Sequence, residues 1–310
     1  MKCVFYNVEN LFDTANDPKT RDDDFTECGS YEWDERKYFE KLDNIAEVLT
    51  LMNESHLPDL LGLVEVENYR VVKDLIDHRL LNHMPYKVIH AESRDQRGID
   101  VCLVYNQHVF EPLNHGWINI DDHAPHKMWS RDILHVEGKI PSGETLHVFV
   151  CHWPSRRDGA DETAYKRKSA AKALLARWDE IRLKDPSSLV LVMGDMNDTP
   201  SDKSISEILE AKKKTDASGE LLNLSLPLHL EGKGTVYRDE WFMFDQLIVS
   251  HDLANRVVGG VMYIFEDDRI LYYGKSNIPR PNRTFVGSRY TGGYSDHLPI
   301  WLELNVEAHD

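Results

Sequence analysis

The segment DLLGLVEVEN, residues 59–68, carries the clearest indication of the fold. Its first half is almost wholly apolar, which is typical of a short β-strand that is covered on both faces. Glu65 and Glu67 follow at the far end of that apolar run. The segment therefore predicts a layered α/β protein with acidic groups at the end of a buried strand.

The rest of the chain predicts helices and strands that surround this segment. Helical spacing of apolar residues predicts helices over residues 34–53, 69–81 and 162–184. Apolar runs and alternation predict further strands; they cover residues 2–12, 87–91, 99–106, 133–140, 145–153, 188–198, 242–250, 257–265 and 298–304. Two sheets with helices outside them would cover the apolar faces, so the sequence predicts an α/β sandwich of layered type.

The composition limits the possible functions. The 310 residues are 41% hydrophobic and 29% charged, without a Pro/Gly/Ser-rich linker, which predicts a single domain over residues 1–310. The 53 acidic against 36 basic residues give a net charge of −17. A field of that sign disfavours sequence-specific nucleic-acid binding, but metal cations at a carboxylate-rich site would still permit phosphate chemistry.

The cysteines and the apolar runs bear on location. The four cysteines show no C-x-x-C spacing, which suits a reducing compartment. The sequence contains no run of about 20 apolar residues, so it predicts no membrane span. As it stands, the sequence predicts a cytoplasmic monomer, whereas a trimmed leader would make the protein an exported or periplasmic one.

Strand after strand ends in groups that bind hard cations or move protons. These groups are Asn7, Glu9, Glu65, His152, Asp195, Asn197, Asp245, Asp296 and His297. One Asp-His pair could merely cap a loop, but several buried carboxylates need a common counter-charge. Carboxylate and amide oxygens without cysteine favour Mg²⁺ or Mn²⁺, with Ca²⁺ as an alternative, and Mg²⁺ often shares its ligands with a substrate phosphate. The two histidines add groups that exchange protons near neutral pH.

Taken in order, six motifs resemble those of the endonuclease/exonuclease/phosphatase superfamily. They are FYNVENLFD, LVEVEN, HWPS, GDMND, FDQLIVS and SDHLPI, and they cover nearly the whole chain. The resemblance implies a four-layer α/β/β/α sandwich of the deoxyribonuclease I type, in which two mostly antiparallel sheets pack together between helices. Abasic-site endonucleases of this superfamily carry a tyrosine at the position of His152, which disfavours a role in base-excision repair.

The resemblance also implies roles for individual residues. Three acids would bind the metal, namely Glu65, Asp296 and Glu9. The catalytic set would consist of Asn7, His152, Asp195, Asn197, Asp245 and His297. Asp195 would orient or deprotonate the attacking water, and Asp245 would orient His297.

Three residues outside these motif positions are predicted to bind substrate. Arg131 carries a guanidinium group that suits a bidentate phosphate contact, although a surface ion pair would explain it about equally well. Arg156 is predicted to face the substrate because it follows the HWPS motif. Trp241 would stack on a base or sugar, with ordinary aromatic packing as the alternative.

Together these features predict a Mg²⁺-dependent phosphodiesterase or nuclease of low sequence specificity, in which water attacks phosphorus in line and DNA or RNA is bound only as a substrate. The alternatives are a phosphomonoesterase for inositol phosphates or a related small metabolite, a sphingomyelinase-type phosphodiesterase, and an inactive binding module.

Overall fold

A computed structural model describes residues 1–52, 56–212, 220–275 and 277–307. Its helices are α1 (Glu35–Leu51), α2 (Tyr69–Ile76), α3 (Ala164–Lys184), α4 (Leu226–Leu230) and α5 (His251–Ala254). Asp34 and Asn68 begin α1 and α2, since each side chain accepts a hydrogen bond from the backbone N–H three residues later. Within the described ranges, no helix has the length and apolar character needed to cross a membrane.

The strands lie before, between and after these helices. In chain order they are β1 (Lys2–Leu11), β2 (Leu60–Val66), β3 (Tyr86–His90), β4 (Asp100–Asn106), β5 (Glu111–Ile118), β6 (Ile133–Lys139), β7 (Thr145–His152), β8 (Leu189–Asp195), β9 (Leu221–Asn223), β10 (Val236–Arg238), β11 (Glu240–Phe242), β12 (Asp245–Ser250), β13 (Tyr263–Ile264), β14 (Leu271–Tyr273), β15 (Pro279–Pro281), β16 (Phe285–Val286), β17 (Arg289–Tyr290) and β18 (Ile300–Glu303).

Two large sheets organise these strands. The first has the order β13-β18-β1-β2-β4-β3, and the second has the order β5-β6-β7-β8-β12-β9. In each sheet one central pair is parallel, β1 with β2 and β7 with β8, and the other neighbours are antiparallel. With helices on the outer faces, this arrangement confirms the predicted four-layer sandwich.

The main core lies between the two sheets. Phe5 and Val64 of the first sheet belong to the same buried cluster as Val150 and Met193 of the second. Gly62 makes this close approach possible, because a Cβ atom there would lie 2.5 Å from the sulfur of Met193. Alternate residues of the same strands point outward, where α1 and α2 cover the first sheet and α3 covers the second. The inner strands are thus buried on both faces, as residues 59–68 predict.

The structure corrects several predicted boundaries. The helix predicted over residues 69–81 ends at Ile76, because turns carry the chain onward to Leu81. The strand predicted over residues 257–265 forms only at Tyr263–Ile264, apart from an isolated bridge between Val257 and Leu304, because Gly259 and Gly260 adopt positive φ angles and break the extended backbone between them. Strand β5 escaped prediction because its residues are largely exposed and show no clean alternation. Asn53, where the first helix was predicted to end, lies outside the described residues.

Candidate active site

The topology gathers polar strand ends at one edge of the sandwich. Parallel pairing places the carboxyl ends of β1 and β2 together in the first sheet, and those of β7 and β8 together in the second. Strand β12 runs antiparallel to β8, so its first residue, Asp245, lies directly opposite Asp195. Strand β18 likewise begins beside the polar end of β1, which brings Asp296 and His297 to the same edge.

A β-bulge redirects Glu65. Val64 pairs with Val101 and Val66 pairs with Asp100, so Glu65 is an extra residue in its strand, with a φ angle of 63°. Strict alternation from the outward-facing Leu63 would place Glu65 beneath the covering helices. The bulge lets Val66 take that outer position instead and turns the carboxylate of Glu65 toward the strand ends.

Three side-chain nitrogens surround one oxygen of Asp195, and that of Asn7 donates a hydrogen bond to it. Its Oδ2 atom lies 3.2 Å from Nδ2 of Asn7, 3.7 Å from Nε2 of His152 and 3.8 Å from Nε2 of His297. These residues come from both sheets, and Asp195 itself is buried. The other carboxylate oxygen accepts a hydrogen bond of 2.9 Å from the backbone N–H of Asn197. The structure therefore brings five of the residues predicted for catalysis into one cluster.

The surroundings of the two histidines in this cluster shift their pKa values in opposite directions. Burial disfavours a charged imidazole at His297, but the charge and 2.7 Å hydrogen bond of Asp245 outweigh it and raise the pKa of His297 to about 10. Burial, assisted by the positive charges of Arg131 and Arg97, lowers the pKa of His152 well below its usual value. At neutral pH His297 is therefore an imidazolium donor and His152 is neutral.

The acids are crowded enough to need a counter-charge. Burial, together with the Asp245 carboxylate, raises the pKa of Asp195 to about 6, although His297 opposes the shift. Oε1 of Glu65 lies 3.8 Å from Nε2 of His152, and its Oε2 accepts a 3.1 Å hydrogen bond from the backbone of Asn10. Asp296 stays partly exposed, with Oδ1 3.9 Å from Nε2 of His297.

These acids fit a hard divalent cation. Glu65 presents a carboxylate oxygen beside His152 and Asp296 presents one beside His297, the two histidines that approach Asp195, and oxygen ligands of this kind suit Mg²⁺ or Mn²⁺. A cation would also offset the burial and the repulsion from Asp245 that raise the pKa of Asp195.

Glu9 is held by protein groups. Arg283 bridges Oε1 of Glu9 and Oδ2 of Asp296, at 3.2 Å from each, and the backbone N–H of Thr284 donates to Oε2 of Glu9 at 2.6 Å. Burial and the Asp296 carboxylate raise the pKa of Glu9 to about 7, while Lys41 and Arg283 oppose the shift. The metal-binding role predicted for Glu9 thus competes with a role in holding Arg283.

Arg283 and Lys41 were missed by sequence reasoning. Arg283 lies in an irregular loop, RPNRTF, that matches none of the six motifs. Lys41 lies on α1, where a lysine is ordinarily expected to face solvent. It is instead buried, and its Nζ donates to the hydroxyl of Thr284 and to the carbonyl oxygen of Tyr294, each at 2.6 Å. Only the structure, which places both residues near Glu9, identifies them as part of the site.

Arg131 does not take the substrate-facing position predicted for it. Its guanidinium is buried and donates to the carbonyl oxygens of His152 and Trp153, at 3.2 and 3.1 Å, and to Asp95. All three nitrogens are therefore engaged within the protein. Arg131 supports the segment that carries His152, because the guanidinium fork satisfies two consecutive backbone carbonyls there.

Arg156 is engaged in a similar way. Its Nε donates to the carbonyl oxygen of Asn197 at 2.6 Å, and its Nη2 donates to Asp198 and Asp202 at 2.7 and 2.6 Å. This geometry supports Asn197 and leaves little of the guanidinium for a phosphate. Trp241 lies on the β10–β11 hairpin, half-buried and packed edge-to-face on Tyr237. Its predicted contact with substrate stays a prediction.

The fold and this cluster together define a family. The model of the endonuclease/exonuclease/phosphatase family matches residues 2–306, and the chain belongs to that family. Members of this family are metal-dependent phosphoester hydrolases.

Individual relatives are distant. Exodeoxyribonuclease III of Haemophilus influenzae is 25% identical over 152 residues, which are 49% of this chain and 52% of that protein. The chain thus matches about half the length of this curated relative. The crystal structure of truncated TDP2 from Caenorhabditis elegans has a TM-score of 0.60 at 17% identity and covers 97% of this chain and 95% of that one. A mannosyl-6-phosphatase from Bacteroides thetaiotaomicron has a TM-score of 0.59 at 16% identity, covering 98% and 99%. These two structures share the fold.

Proposed function

We propose that this protein is a Mg²⁺-dependent phosphodiesterase, acting as a nuclease of low sequence specificity. The observation that carries this proposal is the convergence of Asn7, His152 and His297 on one oxygen of Asp195. A carboxylate surrounded by nitrogen donors is the arrangement needed to activate a water molecule while the same donors bind phosphoryl oxygens.

The protein groups would divide the work by their protonation states. Asp195, whose pKa lies near 6, is ionised at neutral pH and would accept the proton of the attacking water. His297 would donate to a phosphoryl oxygen as an imidazolium, oriented by Asp245. Asn7 would donate from its side-chain amide, which needs no change of protonation.

Glu65 and Asp296 would hold the metal ion, with Glu9 as a further candidate because it lies near Asp296, although Arg283 between them competes for its carboxylate. When bound, Mg²⁺ supplies positive charge that stabilises the developing negative charge on the phosphoryl and leaving oxygens. Asn197 would remain beside the phosphate, because its side-chain amide donates to the carbonyl oxygen of Trp153 at 3.0 Å and is thereby fixed in place.

Two observations bear on the substrate class, namely the activities named for the relatives and the charges around the site. Exodeoxyribonuclease III, by its name, acts on DNA, and a TDP2 of D. rerio forms a complex with a single-strand DNA product, whereas the mannosyl-6-phosphatase, by its name, acts on a phosphomonoester. The residues around this site include Arg97 and Arg283, and both are paired with carboxylates. A substrate rich in phosphates, such as an inositol polyphosphate, would need more free cations, so a single phosphodiester is the better fit.

The test is a substrate panel with and without metal. Purified protein is offered plasmid DNA, RNA, bis-p-nitrophenyl phosphate, p-nitrophenyl phosphate, inositol phosphates and sphingomyelin in Mg²⁺, Mn²⁺ or chelator. We expect metal-dependent cleavage of diesters. Turnover of monoesters alone would replace the proposal with the phosphomonoesterase alternative, cleavage of sphingomyelin alone would indicate the lipid-headgroup alternative, and activity that survives chelation would reject the mechanism.

A further inference from the structure

A second cluster of possible ligands lies on the opposite side of β2 from the catalytic residues. It consists of His90 at the end of β3, Glu92 in the following loop and Asp100 at the start of β4. Each residue offers one ligand atom, and the three atoms lie within 4.8 Å of one another. None of the six sequence motifs includes these residues.

The register of β3 and β4 explains the convergence. His90 pairs with Cys102, and Asp100 lies two residues before Cys102 on the same face of β4. Cys102 packs in the cluster beneath α1 and α2, so His90 and Asp100 face the helix-covered side of the sheet. Asp100 is also the partner of Val66, next to the bulge at Glu65, but it faces away from the catalytic cluster.

The polar atoms of the pair are buried without ordinary partners. The side chains of His90 and Asp100 are each only 2% exposed, with Nε2 and Oδ2 3.3 Å apart. Within the described part of the chain, neither atom makes a hydrogen bond of acceptable geometry. The other oxygen of Asp100 accepts a 2.8 Å hydrogen bond from the backbone of Ser93, which directs Oδ2 toward His90. Buried polar atoms left in this way are costly, so a missing partner is indicated.

The spacing matches shared coordination better than a direct hydrogen bond. Two ligand atoms about 2.1 Å from one ion lie about 3.4 Å apart at a tetrahedral angle. The 3.3 Å between Nε2 and Oδ2 agrees with that separation. A nitrogen ligand with two carboxylates suits Zn²⁺ or Mn²⁺ better than Mg²⁺ or Ca²⁺, which prefer oxygen ligands alone.

The cluster has a route to solvent and a negative field. Glu92 is exposed and lines a cavity of about 270 Å³ together with Asp13, Asp17 and Glu67. Burial, and next the Asp100 carboxylate, raise the pKa of Glu92, which is the effect expected where a cation is favoured. An ion could therefore enter from this cavity.

We propose that His90, Glu92 and Asp100 form a second metal site, separate from the catalytic cluster, which takes a divalent transition-metal ion of the Zn²⁺ or Mn²⁺ type. The ion stabilises the fold, since it ties the loop after β3 to β4, the strand whose pairing sets the bulge at Glu65. It does not touch the reacting groups.

The experiment measures metal binding by the full chain. Chelator-treated protein is dialysed against Zn²⁺ or Mn²⁺, and bound metal is counted by mass spectrometry for the wild type and the variants H90Q, E92Q, E65Q and, as a control at an exposed acid on β5, E111Q. We expect H90Q and E92Q each to lose one equivalent of bound metal, because the affinity of the site for the ion falls at least about 100-fold. E65Q and E111Q should keep this equivalent. Substitution with Co²⁺ should give visible absorption that H90Q and E92Q abolish and that E65Q and E111Q keep.

Stability provides an independent readout. Zn²⁺ should raise the melting temperature of the wild type and of E65Q but not of E92Q, whose exposed position allows the variant to fold. Equal Zn²⁺ binding by the wild type, H90Q and E92Q overturns the proposal, as does wild-type protein that binds no Zn²⁺ at this site. Loss of catalytic activity in E65Q with this Zn²⁺ equivalent intact would separate the two sites.

Discussion

Oδ2 of Asp245 lies 2.7 Å from Nδ1 of His297, although 52 residues separate them in the chain. Asp245 is also the direct cross-strand partner of Asp195, and two carboxylates in that relation repel each other. His297 lies between them, with Nδ1 toward Asp245 and Nε2 toward Asp195. The imidazolium thus compensates a like-charge pair that the antiparallel register of β8 and β12 imposes.

Replacing Asp245 with Asn should shift the pH dependence of catalysis. Asp245 raises the pKa of His297 to about 10, so the imidazolium persists throughout the neutral range in the wild type. Without the carboxylate, burial lowers the pKa of His297, and the donor is lost at a lower pH. We expect kcat/KM of D245N to fall at pH values where the wild type remains active, and to recover partly under acidic conditions. Parallel pH profiles of the two proteins would contradict this role.

Replacing Glu65 with Gln should abolish metal-dependent turnover while the protein stays folded. The amide keeps the shape of the side chain but removes the charge that would hold the cation, and we expect a loss of at least about 100-fold in kcat. The matched control is E111Q, an exposed acid on β5, which should behave like the wild type. Circular dichroism checks the fold. Wild-type rates in E65Q would place the metal elsewhere.

Replacing Arg131 with Lys distinguishes a role in positioning His152 from a role in binding substrate. Lysine cannot satisfy the carbonyl oxygens of His152 and Trp153 together with Asp95. If Arg131 positions His152, kcat falls and the melting temperature drops, while KM changes little. Arg157, an exposed arginine that follows the HWPS motif, supplies the control R157K. A raised KM at unchanged kcat and stability would restore the substrate-binding role for Arg131.

The core between the sheets should dominate stability. Phe5 is fully buried there, so Phe5→Ala should lower the free energy of unfolding by about 3–5 kcal/mol. Phe39 on α1 is 55% exposed, and Phe39→Ala should change the free energy of unfolding by no more than about 1 kcal/mol. Urea denaturation of both variants, with the slope of the transition compared with the wild type, measures the difference. Equal losses would mean that the inter-sheet layer is not the main core.

Acid should destabilise the protein through His135. Burial, with the nearby His147 and Arg177, lowers the pKa of His135 to about 3. The unfolded chain takes up this proton below about pH 6.5, whereas the folded chain resists it until about pH 3, so stability decreases as the pH falls through that window. Between about pH 7.5 and pH 5 the free energy of unfolding should decrease in both proteins, and the decrease should be smaller in His135→Gln than in the wild type by up to about 2 kcal/mol. The exposed His126 provides the control H126Q, and an identical pH dependence in all three proteins would refute the assignment.

Much of the fold follows from local patterns. The apolar run of residues 60–64 needs cover on both faces, and the structure provides it with the opposite sheet on one side and α1 and α2 on the other. The Ala- and Leu-rich segment becomes α3 over nearly its predicted length. Elements without strong periodicity were missed or misplaced, as β5 and the strand predicted over residues 257–265 show. Their pairing depends on neighbours that are distant in the chain.

The residues of the candidate site divide in the same way. Sequence by itself determined the chemical types and their order, because carboxylates, amides and imidazoles at strand ends are visible in one dimension. Only the tertiary structure decided where those groups point: the bulge turns Glu65 to the strand ends, backbone carbonyls occupy Arg131, and the loop before β16 brings Arg283 between Glu9 and Asp296. The reason is physical. Periodicity records which face of a strand is buried, whereas contacts between distant segments depend on register and loop geometry, which a local pattern does not encode.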